Sequence, residues 1–338
     1  MEKRIFGALE NGEKVFAYTI ENGHLKAEIL DYGCIIRKLY YKNTDVVLGL
    51  EHLESYVKTT SGMGAAIVPS ANRIANASFK IDGQPVYLEV NEGKNNLHSH
   101  STQGGHKRLW RLIKHTVNKI VFSLDYSDME LGLPGNRSFK VSYELSDEDE
   151  LKITYEMVSD AKTLFNPTNH SYFNLNGQGT VNNHLMKLNC DYFTPSYPDN
   201  IPTGEIRSVE GTPFDFHDMK VISENMDMSY QQLINGRGYD HNILINDYDG
   251  SLRYLATLKG DITGITMDCY TTQPGVQLYG GNYLDESDGI NGAVYHGQEG
   301  ICLETQFTPD AVNKENFVSP LAEKNREIIY TTVFRFHE

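Results

Sequence analysis

Polar residues able to move protons or grip a polyol gather in six short strings of this 338-residue chain. The densest is Asn166-Pro167-Thr168-Asn169-His170-Ser171-Tyr172-Phe173-Asn174-Leu175-Asn176-Gly177, where a histidine sits between turn formers and an aromatic pair. An imidazole there with a pKa near 7 suits general acid–base work; the plain alternative is a histidine bonded to a loop carbonyl. In the strand-like run 300–307 (GICLETQF), Cys302 and Glu304 share the face opposite Ile301 and Leu303. Partial desolvation of that lone carboxylate raises its pKa and basicity, whereas a solvated sheet face leaves it ordinary. Asn72-Arg73 follows a stretch of small residues, and the arginine fork can bind vicinal hydroxyls or a carboxylate, or merely decorate the surface. His98 and His100, in Asn95-Asn96-Leu97-His98-Ser99-His100, share one face of a strand, a spacing that suggests metal ligation. The continuation Ser101-Thr102-Gln103-Gly104-Gly105 brings no glutamate of the cupin kind, so no metal is assigned. His98 is kept as a functional group, beside the reading of both as solvated loop histidines. Asp240, in Gly238-Tyr239-Asp240-His241-Asn242, is a candidate carboxylate or an Asx turn. Gln273, in the run 271–279 (TTQPGVQLY), can donate and accept toward a neutral polar ligand or mark a turn.

Other chemistries lack their signatures. The chain holds no GxxxxGK[ST] loop, GxGxxG, HExxH or GxSxG, which removes phosphate-loop, dinucleotide, zincin and elbow-serine readings. Cys34, Cys190, Cys269 and Cys302 are far apart, with no CxxC pair, so buried free thiols in a cytoplasmic protein are expected. Thirty basic against 45 acidic residues give a net charge of −15, which repels phosphate backbones and anionic lipid heads. No apolar leader follows Met1 and no window approaches 18 apolar residues, so neither secretion nor membrane spanning is expected.

The elements that must hold these strings are strands. Period-2 runs rich in Val, Ile, Tyr, Phe and Thr occupy 25–30, 34–41, 120–126, 139–145, 151–158, 265–271, 275–279 and 328–336. In 151–158, Leu151, Ile153, Tyr155 and Met157 fall on one face and Lys152, Thr154 and Glu156 on the other. Turn signals at Asn11-Gly12, Asn22-Gly23, Asp82-Gly83, Asp249-Gly250 and Asp288-Gly289 sit beside such runs. Helical spacing is confined to Leu50, Leu53 and Val57 and to 223–233, and neither alternates with strands as βαβ units require. An all-β antiparallel sandwich or barrel follows, and with no linker or internal repeat residues 1–338 read as one domain.

Taken in order, ANRI (71–74), NNLH (95–98), NPTNHSYFNL (166–175), GYDHN (238–242), TTQPGVQLY (271–279) and LETQ…PDA (303–311) resemble the aldose 1-epimerases, or galactose mutarotases. LPGN (133–136) and EGTPFDF (210–216) add to the likeness, which covers most of the chain. The resemblance implies a large antiparallel β-sandwich, Glu304 as catalytic base, His170 as acid and His98 as a second active-site histidine. It also implies Arg73, Asp240 and Gln273 as sugar-binding groups, with Asn72 beside Arg73 touching the sugar. The reaction implied is interconversion of α and β anomers of free aldohexoses such as galactose and glucose, with a small sugar as partner and no cofactor. A base takes the C1 hydroxyl proton while an acid protonates the ring oxygen; the aldehyde turns about C1–C2 and recloses. Carboxylate Glu304 and imidazolium His170, with ordinary pKa values of about 4.3 and 6.5, are expected to supply the pair. A non-catalytic carbohydrate-binding protein requires Glu304 to stand away from His170, and a glycoside hydrolase requires Asp240 and Glu304 as a carboxylate pair. Ser99-His100 after His98, Val68-Pro69 before Ala71-Asn72-Arg73, Tyr279-Gly280-Gly281-Asn282 and Phe307-Thr308 depart from the family pattern, and none of them removes a proposed catalytic group.

Overall fold

Alternation becomes strand pairing along most of the chain. The computed structural model, which describes residues 2–338, is built around a nine-stranded sheet. Its spatial order is Arg111–His115, Lys119–Tyr126, Arg137–Leu145, Glu150–Ser159, Ile328–His337, Thr266–Thr271, Arg253–Lys259, Leu185–Leu188 and Lys220–Val221. Every ladder in it is antiparallel. The face foreseen in 151–158 is the buried one: Leu151, Ile153, Tyr155 and Met157 lie inside, while Lys152 and Val158 are exposed. Opposite them stand Leu145, Tyr143, Val141 and Phe139, likewise buried. Each such side chain contributes about 1.5–3 kcal/mol by leaving water, so a one-residue slip of register would expose the whole row. The C-terminal strand Ile328–His337 lies between Glu150–Ser159 and Thr266–Thr271, so the sheet is complete only when the last residues are placed.

A five-stranded sheet of Glu2–Ala8, Lys14–Asn22, Leu25–Leu30, Ile36–Tyr41 and Thr44–Asp45 covers this sheet. Tyr18 of the cover meets Phe122 edge-on at 5.7 Å between ring centroids, and Ile20, Ile29 and Leu39 join the same core as Phe122, Val141 and Ile153. The architecture is therefore a large antiparallel sandwich. At the foreseen turn Asp82-Gly83 the two-residue link between Ser78–Ile81 and Gln84–Tyr87 has φ of 48° and 81°, the doubly left-handed geometry that suits a twisted hairpin.

Two short α-helices interrupt the strands, Leu53–Lys58 and Gln231–Gly236. The expected helix at 223–233 is split. A 3-10 turn, Ile222–Asn225, ends where Asp227 Oδ1 accepts from Ser229 N at 2.9 Å, because this Asx turn offers the backbone a partner other than a helical carbonyl. Among the described residues, no helix is long and apolar enough to cross a membrane.

A third sheet positions the polar strings, in the order Arg207–Ser208, Tyr192–Thr194, Asp240–Leu244, Gly275–Tyr279 and Cys302–Gln306. Ile243, Val276, Leu278 and Leu303 turn one face into the main core. The opposite face carries two cross-strand rows, Asp240–Tyr279–Cys302 and Asn242–Gln277–Glu304. The GYDHN string is thus a strand and not an Asx turn.

Candidate active site

Glu304 stands mid-strand on that polar face, only 2% exposed. Its partner is delivered by the His170 string, which is pinned to the same strand: Phe173 and Ile301 exchange backbone hydrogen bonds of 2.8 and 2.9 Å. On its other side Gly64 donates to His170 O and His170 donates to Ala65 O, both at 2.9 Å. Asn169 ties the corner, its Nδ2 donating to Gly64 O at 3.0 Å and its Oδ1 accepting from the Ser171 hydroxyl at 2.6 Å. The imidazole stacks on Tyr172 with centroids 5.1 Å apart, leaving Nε2 3.6 Å from Glu304 Oε1 and Nδ1 3.6 Å from Cys302 Sγ. Glu304 Oε2 is buried with no partner.

The ANRI and NNLH strings form one ribbon, with Asn96–Leu97 paired to Arg73–Ile74. His98 packs edge-on against His170 at 5.5 Å, and its Nδ1 accepts from Asn72 N at 3.1 Å. Arg73 is committed more fully than its sequence suggested. Its Nε and Nη2 donate to both oxygens of Glu92 at 2.7 and 2.8 Å, and Nη1 lies 3.8 Å from Asp240 Oδ2. Asp240 accepts from Gln277 at 2.6 Å and from Asn200 at 3.1 Å. Arg73, His98, His170, Asp240, Glu304 and Asn72 all line one cavity of about 1020 Å³, whose lining also takes in residues 58–61, Tyr283 and residues 285–288.

Two placements differ from the expectation. Gln273 is wholly buried outside this cavity, its amide donating to Pro167 O at 2.8 Å and accepting from the Thr305 hydroxyl at 3.1 Å, so it holds the loop behind the sheet. The glutamine on the polar face is Gln277, beside Glu304 in register and bonded to Asp240. Alternation within VQLY contains that signal, because Gln277 and Tyr279 share a face, but which strand lies alongside is not local information. His100 also leaves the site: His98 and Ser99 have φ of 52° and 70°, so the two histidines do not share a strand face. His100 turns instead to Glu89 at 3.3 Å and accepts from Thr102 N and Gln103 N. Ser99 locks the ribbon by exchanging 2.8 Å hydrogen bonds with the backbone of Ser70.

Burial governs the ionisation, and it overturns the expectation of ordinary pKa values. Desolvation pushes Glu304 well above the usual carboxylate range; Asp240 adds to the rise and Arg73 opposes it. Desolvation pushes His170 down to about 4 and His98 well below its usual value. Both shifts disfavour the charged forms, carboxylate and imidazolium, in the closed site. His98, His170 and Glu304 each bring a potential ligand atom within 4.8 Å of the others, a spacing that a divalent ion could also use.

A family model described as aldose 1-epimerase matches residues 17–335. The galactose mutarotase of Homo sapiens is 37% identical over 345 residues, covering 99% of this chain and 98% of its own. The aldose 1-epimerase of Escherichia coli is 32% identical over 306 residues, or 88% of each chain. In three dimensions, the crystal structure of galactose 1-epimerase from Lactobacillus acidophilus superposes with a TM-score of 0.88 at 25% identity, covering 100% of this chain and 98% of that one. An aldose epimerase homologue from C. elegans superposes equally well, at 28% identity over 95% of this chain and 98% of its own.

Proposed function

The chain belongs to the aldose 1-epimerase family, and from that premise we propose that Glu304 and His170 open and reclose the ring of free aldohexoses such as galactose and glucose, interconverting their α and β anomers. The observation that carries the assignment of roles is the facing pair itself, 3.6 Å apart and buried at the base of a cavity. Ring opening sends the O1 proton to Glu304 and a proton from His170 to O5. The pair starts as carboxylate and imidazolium and ends as carboxyl and imidazole, with one proton throughout. Reclosure on the other face returns the proton to its starting place, so no net acid, base or redox equivalent is consumed. A dry site favours the uncharged arrangement, so ring opening discharges a buried ion pair and is favoured by the same desolvation that shifts both groups.

His98, against His170, is read as a donor to the sugar near the ring oxygen. The Nη1 of Arg73 and the remaining lone pairs of Asp240 are the groups left to bind hydroxyls, with Asn72 beside them. A hydrolase pairing Asp240 with Glu304 is disfavoured, because Asp240 is already held by Gln277, Asn200 and Arg73. A binding protein without catalysis has no use for a carboxylate and an imidazole desolvated against each other. We read residues 1–338 as a single domain, resident in the cytoplasm, where four buried unpaired cysteines are stable as thiols.

Polarimetry of freshly dissolved α-galactose and α-glucose tests the reading. Glu304→Gln keeps the shape of the side chain but not its basicity, so kcat is expected to fall by about 10²-fold or more while sugar binding persists. A variant retaining more than about a tenth of wild-type kcat removes Glu304 as the base.

A further inference from the structure

Asn72 is the residue whose geometry exceeds the role of touching sugar. Its φ is 57°, in the left-handed region, and its main chain is committed on both sides to one neighbour. The N–H of Asn72 donates to His98 Nδ1, and the C=O of Asn72 accepts from His98 N, each at 3.1 Å. Because φ and ψ together set the direction of a residue's N–H against its own C=O, the two bonds jointly constrain that pair of torsions. The side-chain Oδ1 accepts from Arg73 N at 2.9 Å, which supports the same turn. Asparagine tolerates left-handed backbone better than most residues, and a β-branched residue tolerates it worst.

The consequence falls on the imidazole. A ring nitrogen that accepts a hydrogen bond carries no proton, so in neutral His98 the proton must sit on Nε2. Burial keeps the ring neutral at ordinary pH. Among the described residues no group bonds to Nε2, and His98 lines the cavity.

We propose that Asn72 is a positioning residue whose left-handed backbone fixes His98 in the Nε2–H tautomer, making it a hydrogen-bond donor to the substrate and not a metal ligand. A metal at Nε2 would need the lone pair that this tautomer lacks, so the metal-like spacing of His98, His170 and Glu304 serves a sugar oxygen instead. The inference rests on the reading that His98 meets the sugar, but its first test does not.

Nitrogen-15 NMR of histidine-labelled protein without sugar, with His98→Gln used to find the signal, reads the tautomer directly. Wild type is expected to show His98 protonated at Nε2 only, and Asn72→Gly, which adopts left-handed φ freely, the same. Asn72→Val should release Nδ1–H into the population. In turnover, Asn72→Gly should mainly raise KM through the lost amide, while Asn72→Val should lower kcat at least about tenfold more than Asn72→Gly does, as expected when a positioned donor is lost. Should the valine variant fail to fold, Asn72→Ala, strained less, is expected to show a partial mixture of tautomers. An Nδ1–H signal in wild type, or an unmixed Nε2–H signal in the valine or alanine variant, overturns the proposal whatever the enzyme's substrate proves to be. Equal loss of kcat in the glycine and valine variants also overturns it, since the side chain and not the backbone would then matter.

Discussion

At the scale of the residue, the proposed roles make Glu304 and His170 one acid–base unit that works only with one proton. Burial lowers His170 to about 4 and raises Glu304 well above its usual range. The sign of the pH dependence follows. Below about pH 4 the pair gains a second proton on His170, and no base remains for O1. Far above the ordinary carboxylate range Glu304 loses the shared proton, and no acid remains for O5. Between these limits kcat/KM, which reports the free enzyme, should be flat. Groups with ordinary values of about 4.3 and 6.5 would instead give a maximum near pH 5.4 and a clear decline by pH 7.5. Polarimetric kcat/KM at pH 7.5 is expected to be at least half that at pH 6; a steep fall across this interval means that His170 is solvated and ordinary.

At the scale of the element, the site depends on a loop that supports the imidazole from below. Gly62 has φ of +65°, and a Cβ there would sit 3.3 Å from His170 Cδ2. Gly62→Ala therefore adds backbone strain of about 1–2 kcal/mol and also displaces the His170 ring from its place beside Glu304 by a few tenths of an ångström. Gly250, with φ of +82° and open space around it, isolates the first effect. Both alanine variants should lose similar thermal stability, but only Gly62→Ala should lose kcat, by about tenfold; equal activities would remove this loop from the positioning of His170. Strands of this kind were the legible part of the sequence. Alternation in 151–158 named the buried face, and the run 300–307 put Cys302 and Glu304 on one side of the sheet, as found. What alternation does not carry is which strand lies beside which. That is why Gln277, directly opposite Glu304 on the neighbouring strand, passed unnoticed while Gln273 was chosen. It is also why Glu92, distant in sequence, came to hold two of the three nitrogens of Arg73. Nor does it carry the left-handed residues at His98 and Ser99, which separate two histidines that any strand would have aligned.

At the scale of the whole molecule, charge selects the substrate. The chain carries a net charge of −15, and the cavity repeats that bias: Glu92, Asp199, Asp240, Asp285, Glu286 and Asp288 line it against Lys58, Arg73 and Lys94. Two of these cations are occupied, Arg73 by Glu92 at 2.7 Å and Lys94 by Asp199 at 3.7 Å. Two arginines near in sequence to the site strings stay out of the cavity lining. Arg108 pairs with Glu130 at 2.9 Å, and Arg237 lies over the ring of Tyr283 at 5.3 Å. Lys58, in the last turn of its helix, is the cation left, and one exposed ammonium is a weak counter to a phosphate that brings about two negative charges. Free glucose should therefore exceed glucose 6-phosphate in kcat/KM by at least about tenfold at low ionic strength, a difference of about 1.4 kcal/mol. The source of the gap predicts its salt dependence. Repulsion between solvent-facing charges is screened over a Debye length of about 10 Å at 0.1 M salt, so added salt should raise kcat/KM for the phosphate and leave free glucose unchanged. Anomerisation of both sugars measured across a salt series decides it. A phosphate rate that falls with salt would mean attraction, and would require a basic group to swing into the cavity when the phosphorylated sugar enters.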